Sequence, residues 1–149
     1  MTLKHQLYNH CQDQLNQRLK VITSKIVDIQ NALQSETKST AGDKHETGRA
    51  MLQLEREKTG QQLAELQKQQ EILAKINPEV LHKTIALGSI VKTSTSNYFI
   101  SASLGEIRIE KELFYAISVA TPIAKLLLGN TVGDVFSFRN EAFKIIEVL

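Results

Sequence analysis

The chain has 149 residues, enough for one ordinary domain or two small ones, and its 42% hydrophobic and 23% charged residues are unlike a disordered tail. Its net charge of +2 is too small for whole-chain attraction to nucleic acid or an anionic membrane. An aromatic content of 5% with no Trp argues against a large aromatic ligand box, and the single cysteine, Cys11, excludes an internal disulfide framework or a Cys-based zinc cluster.

No segment approaches the roughly 20 apolar residues that span a bilayer. The start, Met1-Thr-Leu-Lys-His-Gln, lacks the apolar stretch of a secretory signal. The expectation is a soluble, cytoplasmic protein.

Composition changes near Pro78. Residues 1–77 hold 12 Gln and residues 78–149 none, whereas all five Phe lie in the second part. Val, Ile, Thr, Phe and Tyr number 27 in the last 72 residues against 14 in the first 77. The first part therefore favours helix and the second favours strand.

In the first part Leu15, Leu19, Ile22, Ile26, Ile29 and Leu33 recur at alternating steps of four and three, a heptad seam. Leu3, Leu7 and Cys11 extend it upstream at steps of four, which turns the stripe around the helix. A second seam runs through Leu52, Leu63, Leu66 and Leu73, interrupted by Arg56, Thr59 and Gln70. Gly60 in this helix costs about 1 kcal/mol relative to Ala. Between the seams, residues 35–48 have no apolar periodicity and contain two glycines. The economical fold is an antiparallel coiled-coil hairpin over residues 1–77, with an acidic tip near residues 36–48. An arm of about 30 residues would extend roughly 45 Å.

Residues 78–149 read as strands at Gly88–Thr93, Tyr98–Ala102, Glu106–Ile109, Phe114–Val119, Val135–Phe138 and Phe143–Val148. One short helix interrupts them. Thr121 suits its N-cap, Pro122 its first turn and Gly129 the left-handed position after its end. The fold class is α+β: a helical hairpin followed by a small β-rich domain with one short helix.

No catalytic constellation stands out. There is no Gly-rich phosphate loop, no His pair at metal spacing and no nucleophile elbow, so the chain is not expected to be an autonomous enzyme. The four histidines read as solvated polar residues. At the tip, Asp43 and Glu46 stand three apart, on one face of a helix that begins there. That spacing suits a capping box, with Asp43 accepting a backbone N–H, and it also suits a pair of metal-binding carboxylates.

Two stretches resemble the bacterial Gre transcript-cleavage factors, the GreA/GreB family of transcription elongation factors. Gly42-Asp-Lys-His-Glu46 is similar to the family's Gly-Asp-x-x-Glu-Asn. Ile117-Ser-Val-Ala-Thr-Pro-Ile-Ala-Lys-Leu-Leu-Leu-Gly-Asn-Thr-Val-Gly-Asp134 is similar to its Ser-Pro…Ala-Leu-x-Gly…Gly-Asp signature. Gly88-Ser-Ile-Val91 before it and Phe143-Lys-Ile-Ile146 after it also fit, so the resemblance covers nearly the whole chain.

The resemblance implies an FKBP-like second domain, residues 78–149, that docks on RNA polymerase beside its secondary channel. The hairpin would enter the channel, and Asp43 and Glu46 would share a Mg²⁺ ion with the polymerase and assist cleavage of backtracked RNA near its 3′ end. The Mg²⁺ would be held only in that complex. No membrane and no sequence-specific DNA contact is implied. Thr47, Gly48 and Arg49 depart from the family pattern, which leaves an alternative: a channel-occupying regulator that does not stimulate cleavage. Lys125, Asp134 and Arg139 are polar positions of the second part available to a partner.

Overall fold

The computed structural model describes residues 2–38 and 42–149, and the side chains of all of these except 37, 38 and 42–46. In chain order the elements are α1 (Leu3–Lys38), α2 (Gly42–Ala74), β1 (Ile90–Thr93), β2 (Asn97–Ile100), β3 (Gly105–Ile109), β4 (Glu112–Ile117), α3 (Pro122–Leu127), β5 (Val135–Phe138) and β6 (Glu141–Val148). They form two compact units: Leu15–Lys68, and Met1–Gln14 together with Gln69–Leu149.

In the Leu15–Lys68 unit the expected seam is the least exposed stripe of α1. Leu15, Ile26 and Ile29 are buried, and Leu19, Ile22 and Leu33 are half-buried. On α2, Leu52, Arg56, Thr59, Leu63 and Leu66 form the matching stripe. The arms run antiparallel: Lys25 Nζ lies 3.5 Å from Glu55 Oε1, while farther along α1 the Leu33 carbonyl accepts from Arg49 Nη1 at 3.3 Å. Thr59 is 1% exposed in this apolar seam. Its hydroxyl donates to the Glu55 carbonyl at 2.8 Å, so burial leaves no donor unmet.

Arg56 reaches along α2 until its Nη1 would lie 3.0 Å from a Cβ placed on Gly60. That obstacle is the free end of a flexible side chain. Gly60→Ala should therefore raise the stability of the helix by about 0.5–1 kcal/mol, read as a higher thermal midpoint. A lowered midpoint would mean that the arginine is locked over the bare backbone.

The other unit is built on a six-stranded sheet ordered β3-β4-β2-β1-β6-β5. Strand β2 runs parallel to β4 and the remaining neighbours are antiparallel. All six expected strands are present, displaced by at most a few residues at their ends. Alternation divides the sheet into two apolar faces. Val91, Tyr98, Ile100, Phe136, Phe143 and Ile145 pack with Ala124 and Leu127 of α3. Ile90, Phe99, Phe114 and Ala116 lie on the opposite face by register and are also buried.

The helix bases cover that second face. Gln69 Oε1 accepts from the Ser103 amide at 2.9 Å, and Ile76 Cγ2 lies 3.1 Å from where a Cβ on Gly88 would sit. Leu7, Cys11, Leu73 and Ile76 are all buried there. The steps of four upstream of Leu15 thus carry α1's stripe onto the sheet. Gln70, expected within the second seam, is instead exposed, and Gln69 is the buried residue, turned inward by its bond to Ser103. Burial pushes the Cys11 thiol up to about 11, against a smaller downward pull from Ser101.

Helix α3 follows its sequence punctuation closely. Thr121 is the N-cap with extended backbone, its hydroxyl accepting from the Ala124 amide at 3.3 Å, and Pro122 occupies the first turn. Gly129 takes φ +84 immediately after the helix end.

Candidate functional site

Asp43 and Glu46 lie in α2, one turn apart, and their side chains are outside the described residues. Because α2 begins at Gly42, Asp43 stands within the first turn rather than at the cap position of the expected capping box. A carboxylate there suits the partial positive charge of a helix N-terminus. Two described side chains on either side of them in sequence are Glu36 and Arg49. Glu36 lies beside α2, with Oε1 3.5 Å from where a Cβ on Gly48 would sit, an ordinary contact distance. Arg49 engages the Leu33 carbonyl.

The described residues of Ile117–Asp134 chiefly shape the chain. Thr121 caps α3, Gly129 and Gly133 adopt φ +84 and +93, and Asp134 Oδ2 accepts from the Thr131 amide at 2.9 Å to close the turn. Lys125 is exposed in the last turn of α3. Arg139 holds φ +52 and stacks its guanidinium 5.1 Å from the Phe138 ring centre. Among the described residues, no helix is long and apolar enough to cross a membrane.

A polar cluster in the sheet unit escaped the sequence reading. Lys4, on α1, is only 2% exposed. Its Nζ donates to the Val80 carbonyl and lies 3.4 Å from His82 Nδ1. The same ring nitrogen meets Ser89 Oγ at 2.9 Å, and Ser89 Oγ accepts from the Ala86 amide. His82 is therefore a bonded member of this cluster and not the solvated residue expected. Burial first, and the charge of Lys4 second, hold His82 below its ordinary value, opposed by a hydrogen bond with the Leu149 backbone. The available signal was spacing: Lys4, Leu7, Cys11 and Leu15 share one helical stripe.

Burial lowers the Lys4 ammonium from 10.5 to about 8. Between those values the unfolded chain binds more protons, so stability rises with pH from about 8 to 10.5; below pH 8 both states are charged and the full penalty applies. The bound on the gain is roughly 3 kcal/mol. Denaturant titrations at pH 7, 8, 9 and 10, compared with Lys4→Met, isolate this gain from other titrating groups. Parallel pH profiles for the two proteins would refute it.

The architecture defines the class: an α+β chain in which two long helices, antiparallel in their shared unit, precede a mixed six-stranded sheet with one short helix. No protein-family model and no curated protein matches the chain. Among solved structures it is similar to one described as "Structure of the transcription factor Gfh1", at 21% identity and a TM-score of 0.36, with 91% of each chain covered. That likeness assigns neither a family nor an activity.

Proposed function

We propose that this chain acts in transcription as a Gre-type factor, binding RNA polymerase through its FKBP-like sheet domain and extending its helical arms into the secondary channel. The observation that carries the reading is the Ile117–Asp134 segment. Its residues resemble the Gre signature, and they form a Thr-Pro-capped helix and glycine turns between β4 and β5, downstream of two long helices. The order of elements supports the same reading.

In this reading the chain is an accessory and not itself an enzyme. Positions 43 and 46 both fall in α2, and residues three apart in a helix share a face, which supports pairing the two acids. Two carboxylates are a suitable donor set for Mg²⁺, which commonly takes one or two protein acids and completes its octahedron with water and phosphate oxygens. When bound, that ion supplies charge neutralisation at a phosphate and a more acidic water. Asp43 and Glu46 would hold and orient it, the polymerase would supply the remaining ligands, and the ion would assist hydrolysis of backtracked RNA near its 3′ end.

A second reading keeps polymerase binding without cleavage. Arg49, bonded to Leu33, and Gly48, against which Glu36 rests, stand where the family pattern differs, and they favour a tip used for occupancy alone. Purified polymerase stalled on a backtracked transcript, with and without the chain, separates the readings. Mg²⁺-dependent shortening of the transcript is expected, slowed elongation without shortening supports the second reading, and no binding overturns both.

A further inference from the structure

The edge strand β5 carries an unfilled pairing function. Its hairpin with β6 turns through Arg139 and Asn140, both left-handed at φ +52 and +67, so Phe138 and Glu141 form the hydrogen-bonded pair flanking a two-residue loop. At the other end Ile145 N donates to Asp134 O at 2.9 Å, which fixes the same phase. Hydrogen-bonded positions alternate along an antiparallel strand. Val135 and Ser137, lying between, therefore direct their backbone N–H and C=O groups away from β6. Among the described residues no strand occupies that side.

The two edges of the sheet are guarded differently. The opposite edge, β3, reads Gly-Glu-Ile-Arg-Ile and exposes the charges of Glu106 and Arg108. Charges on an edge discourage further pairing. Strand β5 reads Val-Phe-Ser-Phe, with neither a charge nor a proline. On its outer face Val135 is 65% exposed, and Ile146 of the adjoining β6 is 56% exposed on that face.

We propose that β5 is a docking edge for an extended, uncharged segment of another protein, which adds to the sheet as a seventh strand. Backbone pairing with Val135 and Ser137 sets its register. Its alternate side chains lie beside Phe136 and Phe138 on the core face and beside Val135 on the outer face. β-branched or aromatic residues suit both rows. A second copy is the poorer occupant. Two β5 strands pairing about a two-fold axis normal to the sheet would leave both Val135–Ile146 surfaces in solvent on the same side. Four residues from each copy also fall well short of the about 800 Å² per partner typical of a stable dimer. The inference does not depend on the polymerase reading.

The probe is a synthetic peptide based on Glu141–Val148, the strand that β5 already accepts on its inner side, with Glu141, Lys144 and Glu147 replaced by Thr and both termini capped so that it carries no charge. It is added to the full chain while amide hydrogen exchange is followed residue by residue. The Val135 and Ser137 amides should exchange freely in the absence of peptide and slow by about tenfold or more at millimolar peptide. Val135→Lys, at an exposed position, should weaken peptide binding about tenfold or more while leaving the remaining amide pattern unchanged. Absence of protection, or undiminished binding by Val135→Lys, would overturn the proposal. So would slow exchange in the free chain accompanied by concentration-dependent dimerisation in sedimentation, since the edge would then be taken by a second copy.

Discussion

Phe114→Ala is expected to lower the unfolding free energy by about 3–5 kcal/mol, the cost of emptying a large aromatic site. Phe114 has no exposed surface. It sits between Asn97 and Ile107 in the register of β2, β4 and β3, on the face beneath the bases of α1 and α2. Lys92 Nζ approaches within 5.9 Å of its ring centre and also pairs with Glu112 at 3.0 Å, so the aromatic supports a charged neighbour. Its neighbours in register belong to three paired strands, whose backbone hydrogen bonds limit collapse. Ile146→Ala, at a mostly exposed position, should change stability by less than about 0.5 kcal/mol. Denaturant titration of the two variants provides the comparison. A loss at Phe114 as small as that at Ile146 would mean that helix bases do not cover the second face in solution.

Legibility followed the range of the forces involved. Thr121, Pro122 and Gly129 each impose a local backbone constraint, so α3 could be placed almost to the residue. The heptad of α1 was equally plain, because one stripe of Leu and Ile serves one seam. Strands were legible through β-branched and aromatic runs, yet their order was not, since the parallel pairing of β2 with β4 depends on long-range closure. Gln69 was mistaken for Gln70 because a glutamine can leave a seam when a distant amide, that of Ser103, offers a partner. Lys4 and His82 were missed for a related reason. Their burial is set by the Val80 carbonyl and Ser89, more than 70 residues along the chain from Lys4. The tip was legible as two acids at helical spacing, while the metal role proposed for them rests on resemblance.

The central claim is that Asp43 and Glu46 work in a partner's reaction centre, and Asp43→Asn addresses it most directly. Asn keeps the size and polar character of the side chain and removes its charge. In the first turn of a helix that change should cost about 0.3–1 kcal/mol. Loss of an anionic metal ligand should cost more than about tenfold in rate. The measurement is Mg²⁺-dependent RNA cleavage in backtracked polymerase complexes, with the affinity of each protein for polymerase determined alongside. The expected result is a loss of cleavage stimulation greater than tenfold with affinity within about twofold of the parent chain. Full stimulation by Asp43→Asn, at unchanged affinity, would contradict the assignment of this carboxylate to the metal.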